Sequence, residues 1–114
     1  MPLVAIHTGA TLSAETKQRI AADMGEAITV IPNKNVGNLM IAFHDGIDMV
    51  FAGAKTDKCI YIDIRLHGAA SHEAKSALVE GLYALVMKAT GIAANDIYMT
   101  VDEYPNWGAL GKYL

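Results

Sequence analysis

Apolar and polar residues change period along this chain, from about two to about 3.6 and back, twice over. Leu3-Val4-Ala5-Ile6-His7 reads as a short buried strand. Thr8 to Leu12 turn the chain, and Ser13 is a good N-cap with Glu15 in the first helical turn, where the helix dipole favours a carboxylate. Ile20, Met24, Ala27, Ile28 and Ile31 then fall at helical spacing on one stripe, and Pro32-Asn33 stops the helix. Asn38 to Phe43 is a second strand, closed by the turn His44-Asp45-Gly46. Met49 to Ala52, between Gly46 and Gly53, fits a short edge strand.

The second half repeats the first. Cys59 to Leu66 alternates strictly, with Ile60, Ile62, Ile64 and Leu66 on one face and Cys59, Tyr61, Asp63 and Arg65 on the other. Ser71 caps a helix whose stripe is Leu78, Leu82, Leu85, Val86 and Ala89, ending near Gly91, and Ile97 to Val101 is the closing strand. The offset is 58 residues: Ser13, Glu15 and Lys17 match Ser71, Glu73 and Lys75, and Asp45 and Gly53 match Glu103 and Gly111.

Crossover helices of this length require parallel strands within each β-α-β unit. Two such units side by side predict an α+β fold: a four-stranded mixed sheet with both helices on one face, plus short edge strands. The chain is expected to be one domain over 1–114, with an internal repeat of about 2–53 and 59–111. The strand Cys59–Leu66 gives the sheet's other face Tyr61, Asp63 and Arg65. That half-polar face suits either solvent or the lining of an oligomeric barrel, and a plain ferredoxin-like binding module would look similar.

Composition narrows the classes. With 114 residues, 53% hydrophobic and 18% charged, the chain can bury one core without disulfides or metal. The hydrophobic share is high for a small monomer and points toward further burial in an oligomer. A net charge of −3 with no Lys/Arg stripe argues against nucleic acid as a partner. No apolar run approaches the ~20 residues that span a bilayer, and the start has no basic region followed by an apolar one, so no signal peptide is expected. The single Cys59 excludes an internal disulfide or CxxC redox pair, and a cytoplasmic setting is the default.

The chemistry concentrates at Met1-Pro2-Leu3. Methionine before a small residue is the usual substrate for initiator-Met removal, which would leave Pro2 as a terminal secondary amine. Held at the edge of a core, such an amine loses basicity through desolvation and any nearby cation, and becomes a general base near neutral pH. Pro2 also fits as an ordinary strand-opening proline.

This start, the duplicated β-α-β unit and the length together resemble the tautomerase superfamily, in its macrophage migration inhibitory factor-like branch, from end to end. The most specific pieces are Pro2, the segment Asn38 to Gly53, the strand ending Leu66-His67-Gly68, the pair Ile97-Tyr98, and Trp107-Gly108-Ala109-Leu110-Gly111. The resemblance implies a homotrimer with a pocket at each subunit interface and a cofactor-free keto–enol tautomerase of small 2-oxo acids of the phenylpyruvate type. It implies Pro2 as base and then acid, and Lys34 on the substrate carboxylate. It also implies the backbone N–H of His67 as an oxygen donor and Tyr98 supplied by the neighbouring subunit. Leu3, Trp107 and Tyr113 would form an apolar rim. Decarboxylation or hydration of a small unsaturated acid on the same fold is an alternative, although Arg19 and Arg65 are the chain's only arginines. A cytokine-like role binding a protein partner is another.

Two departures bear on ring-substrate preference. Thr100 stands where the cytokine-like members have asparagine, and Leu114 where they have an aromatic. Ile62 stands three residues after Cys59, so the thiol-redox activity ascribed to that branch lacks its second cysteine. No metal site is expected: His7, His44 and His67 lack ligand spacing, and Ser76 stands where a zincin helix opened by His72-Glu73 needs its second histidine. Neither a GxSxG elbow nor a Walker loop is present.

Overall fold

The computed structural model describes all 114 residues. Strand β1 (Pro2–Thr8) leads to helix α1 (Ala14–Ala27), continued by a 3-10 turn at Ile28–Val30. After a second 3-10 turn at Val36–Asn38 comes β2 (Met40–His44), then a small hairpin of β3 (Val50–Phe51) and β4 (Ala54–Lys55). The second half mirrors this with β5 (Ile60–His67), α2 (His72–Thr90), β6 (Ile97–Tyr104) and a hairpin of β7 (Gly108–Ala109) and β8 (Lys112–Tyr113). The main sheet runs β2-β1-β5-β6. β1 and β2 are parallel, β5 and β6 are parallel, and the two units meet antiparallel along β1 and β5. The α+β reading of the sequence therefore holds, with both helices on one face of a mixed sheet.

Period-two alternation decides which face is core. Val4 and Ile6 of β1 and Ile60, Ile62, Ile64 and Leu66 of β5 are buried against Ile20, Met24 and Ile28 of the first helical stripe and Leu78, Leu82, Leu85 and Val86 of the second. Ser13 and Ser71 cap their helices as expected, each accepting a backbone N–H from three residues on, at Thr16 and Ala74.

Each unit is clasped by a carboxylate at the end of its second strand. Asp45 accepts the Leu12 N–H at 2.8 Å and the Lys17 ammonium at 3.1 Å. Fifty-eight residues on (45 to 103), Glu103 accepts the Ala70 N–H and the Lys75 ammonium at 2.9 Å. Leu12 and Ala70 are the residues just before the two N-caps, so each clasp fixes where its helix starts. At the end of β1, a side chain on Gly9 would come within 2.7 Å of the backbone of Thr56 and Asp57, so only glycine lets these segments approach.

The face away from the helices carries three rows across the strands: Met40-Leu3-Arg65-Asp102, Ala42-Ala5-Asp63-Thr100 and His44-His7-Tyr61-Tyr98. No helix covers it. The Arg65 guanidinium bonds Asp63 at 3.0 Å, and the rings of His44, His7 and Tyr61 stack in a column at 4.8 and 5.5 Å. Burial and the neighbouring His44 lower the His7 pKa, opposed by Asp63.

β1 and β5 differ from the sequence reading by one residue at each end, and three other bounds differ for identifiable reasons. β2 begins at Met40 because Asn38 is consumed in the preceding turn. β6 runs on to Tyr104, since Glu103 returns to the clasp instead of entering a loop. Met49–Ala52 becomes one arm of a hairpin, with Val50 and Phe51 opposite Lys55 and Ala54.

Candidate active site

Pro2 is buried at the first position of β1, opposite Leu66. Opposed residues of an antiparallel pair alternate between hydrogen-bonded and unbonded rungs. Met1 and His67 form a bonded rung, with the His67 N–H donating to the Met1 carbonyl at 3.2 Å. The Pro2–Leu66 rung is therefore an unbonded one, where a residue without an N–H breaks nothing. The Pro2 nitrogen faces the other neighbour, toward the start of β2.

That region is a cavity of about 440 Å³ lined by Met1, Pro2, Leu3, Gly37, Asn38, Met40 and the segment Trp107–Leu110. Its floor is held by a small side-chain network. Asn35 accepts the Gly37 N–H at 2.8 Å, the Asn35 N–H donates to Asn38 Oδ1 at 3.2 Å, and Asn38 Nδ2 donates to the Asn33 carbonyl at 3.3 Å. Its lip is the C-terminal hairpin, where Leu110 and Gly111 both have positive φ, +56° and +77°, as a two-residue hairpin loop of the primed kind requires. Ala52 and Gly53 do the same in the first hairpin, at +52° and +82°.

Lys34 arrives by way of a turn. Its N–H closes onto the Ile31 carbonyl at 3.1 Å across Pro32 and Asn33, and Asn33 takes the left-handed conformation (φ +66°) that asparagine tolerates better than most residues. The half-buried Lys34 ammonium then donates to the His67 carbonyl at 2.8 Å. The residue Lys34 thus meets the chain start at the last rung of the β1–β5 ladder. Burial, together with a hydrogen bond and charge repulsion from Lys34, lowers the pKa of the Met1 amine from 8.0 to about 5. Both effects favour the neutral form of the Met1 amine.

Trp107 stands over this end of the sheet. Its ring stacks on His67 at 6.0 Å and tilts against Tyr104 at 6.1 Å, and its carbonyl accepts the Leu114 N–H at 2.8 Å. Leu3 and Trp107 also line a smaller adjoining cavity of about 240 Å³ with Arg65, Tyr104, Asn106 and Gly108.

The structure thus brings together Pro2, Leu3, Lys34, the His67 backbone and Trp107. It places Tyr98 and Thr100 elsewhere. They lie on β6 in the rows of His7 and Ala5, and His7 is four residues along β1 from Leu3, about 13 Å at strand rise. Tyr98 is 63% exposed and touches Phe51 edge-on, while Thr100 shares a 2.6 Å hydrogen bond with Tyr61. Tyr113 is exposed and bonds Asn106 at 2.7 Å without lining the cavity. The sequence reading does not single out Asn38 and Met40 as cavity residues, and it names Leu110 only within the segment Trp107–Gly111. The pattern Asn35-x-x-Asn38, a capping box, is the available signal for the first.

Cys59 is buried, its thiol raised in pKa by desolvation and by Asp96. No three His, Cys, Asp or Glu side chains are grouped to hold a metal ion, and no helix is long and apolar enough to cross a membrane.

Known proteins share this fold and part of this sequence. Residues 61–114 match the family model described as Tautomerase enzyme. No curated protein matches the chain. Among solved structures, MIF2 of Leishmania major superposes with a TM-score of 0.90 at 20% identity, over 100% of this chain and 97% of that one. Pt0534 inactivated by 2-oxo-3-pentynoate gives 0.87 at 19% identity, over 96% and 93%. A wild-type fused 4-OT asymmetric trimer gives 0.86 at 16% identity, over 96% and 94%. The whole chain therefore has the fold of these structures, and residues 61–114 are similar to the Tautomerase family model.

Proposed function

We propose that this protein is a cofactor-free keto–enol tautomerase of small 2-oxo acids of the phenylpyruvate type, acting through Pro2 as the terminal amine once Met1 is removed. The observation that carries this reading is the setting of Pro2: buried at the first position of β1, lining a largely apolar cavity, with the Lys34 ammonium one rung away on the His67 carbonyl. One residue along, a Pro2 amine would lie on the buried first rung of β1 near the same Lys34 ammonium, and both desolvation and that charge favour the neutral form a general base needs.

In this mechanism Lys34 takes the carboxylate and the Pro2 nitrogen accepts the proton from C3. The His67 N–H takes the C2 oxygen as charge gathers on it, and Pro2 returns the proton to the other end of the enolate. Leu3 and Trp107 supply an apolar wall, and Met40 and Leu110, exposed in the single chain, would exclude water once a neighbouring subunit covers them, which strengthens each of these interactions. The reaction moves one proton within the substrate and needs no co-reactant.

We further propose a homotrimer in which Tyr98 and Thr100 complete a neighbour's site. Supporting this are the uncovered sheet face, the two hairpins that project exposed Val50, Leu110 and Tyr113, and the trimer among the structural relatives. A decarboxylase or hydratase reaction would use the same base.

The chemistry of one relative supplies a test. An acetylenic 2-oxo acid such as 2-oxo-3-pentynoate, which inactivates Pt0534, should add to Pro2 of the Met1-free protein and raise its mass by one reagent. Peptide mapping should place the adduct on Pro2, and Lys34→Ala should slow labelling. A label on another residue, or equal labelling of the Met1-retained chain, would sink the assignment of Pro2.

A further inference from the structure

The last rung of the β1–β5 ladder does more than end a sheet. β5 stops at His67, and the two backbone groups of that residue face β1 with separate partners: the N–H on the Met1 carbonyl at 3.2 Å, the carbonyl on the Lys34 ammonium at 2.8 Å. The next N–H, of Gly68, points the other way and bonds the Tyr104 carbonyl on β6 at 2.9 Å. The His67 N–H therefore has one acceptor, and it belongs to Met1.

We infer that Met1 is a plug as well as a blocking group: its carbonyl occupies the donor that the substrate's C2 oxygen must use, so that removing Met1 opens the oxygen site and frees the base in one step. The inference rests on the reading of Pro2 as the base and adds to it the state of the binding site. Hydrolysis of the Met1–Pro2 amide by a methionine aminopeptidase consumes one water, whose hydroxyl goes to the Met1 carbonyl carbon and whose proton goes to the Pro2 nitrogen. The His67 N–H is then left without a protein acceptor in a half-buried position beneath Trp107, a condition that favours any oxygen able to take it.

The geometry also selects which oxygen fits. In a peptide, the carbonyl oxygen lies about 2.3 Å from the following nitrogen, so the vacated position sits between the His67 N–H and the new Pro2 amine. A ligand oxygen displaced outward by less than about 1 Å reaches hydrogen-bond distance from both. The carbon bearing that oxygen and its neighbour then lie over the amine, while a carboxylate on the same carbon faces Lys34. A 2-oxo acid has this arrangement of oxygens. A saturated carboxylic acid of the same size lacks the oxygen for His67.

The test uses the full chain in two forms, Met1-retained and Met1-removed, each verified by intact mass, with phenylglyoxylate as probe. This 2-oxo acid has no hydrogen on the carbon next to its ketone and cannot enolise, so binding is read without turnover. In the Met1-retained form the His67 amide should exchange its hydrogen slowly, and phenylglyoxylate should bind roughly tenfold or more weakly, the order set by one backbone hydrogen bond. In the Met1-removed form His67 exchange should accelerate, and phenylglyoxylate should slow it again and shift its NMR resonance. Equal His67 exchange in the two forms, or equal affinity, would overturn the plug. If the probe binds at His67 only after Met1 removal and the enzyme still has no tautomerase activity, the plug stands and the Pro2-base reading fails. Turnover by the Met1-removed form with an unaltered His67 amide would overturn the plug and leave the Pro2 base standing.

Discussion

At Lys34 one ammonium faces two tasks that pull the same way. It holds the His67 carbonyl, and its charge disfavours a proton on the amine at the start of β1. An amine pKa lowered by a cation rises when the cation is removed. Lys34→Ala in the Met1-free protein should therefore move the acidic limb of the kcat/KM profile to higher pH, and should raise KM for 2-oxo acids more than for their amides. Pro2→Gly should lower kcat by about 10²-fold or more, in the range expected for general acid–base loss. A pH-rate series on both variants checks this, and an unmoved limb in Lys34→Ala would remove Lys34 from the mechanism. Pro2 stands out in the sequence because Met-Pro ahead of an apolar strand offers a terminal amine at the edge of a core, whereas Lys34 enters only through resemblance, since a lysine after a helix end has an ordinary solvated use. The His67 backbone was legible only through resemblance, since an N–H has no side-chain signature.

Among the elements, the clasps and the hairpin lip carry separable predictions. The Leu12 N–H and then Lys17 hold the Asp45 carboxyl below its ordinary 3.8. Lys75 and then the Ala70 N–H hold Glu103 below its ordinary 4.5. Acids with depressed folded pKa values stabilise the protein above their unfolded pKa and lose that contribution as pH falls through the folded one. Asp45→Asn and Glu103→Gln should each lower stability at neutral pH and flatten its fall below about pH 4.5, measured by urea unfolding across pH. Leu110 sits in the hairpin loop with a left-handed backbone that costs a leucine about 1–2 kcal/mol. Leu110→Asn should raise stability by about 1 kcal/mol and weaken binding of aryl substrates more than of pyruvate, the combination expected of strain kept at a functional lip. No gain in denaturant midpoint would mean that the strain is relieved elsewhere. Strand period and the Ser caps made the main elements readable in advance. The bounds that moved did so where a polar residue was used locally, at Asn38 in its capping box and Glu103 in its clasp.

For the molecule as a whole, the sheet topology separates Tyr98 from Pro2 by about 13 Å or more along the strands. This separation depends on which strands are neighbours and in which direction they run, so it could not be read from spacing along the chain. If a second copy supplies Tyr98, two individually weak variants should complement. Mixing Pro2→Gly with Tyr98→Ala, after dissociation and reassembly, should restore activity above the mean of the two, because some interfaces then hold an intact Pro2 and an intact Tyr98. Sedimentation should give a trimer mass for each parent. Additive activity from mixed trimers would mean that each site draws both residues from one chain or does without Tyr98.

Whether Pro2 is the base of a tautomerase is decided by the ultraviolet-monitored conversion of phenylpyruvate enol to its keto form, using protein whose intact mass shows Met1 removed. The expected result is a rate far above that of buffer, lost in Pro2→Gly and absent in the Met1-retained chain. A buffer rate from folded, Met1-free protein, or an equal rate from the Met1-retained chain, would contradict it.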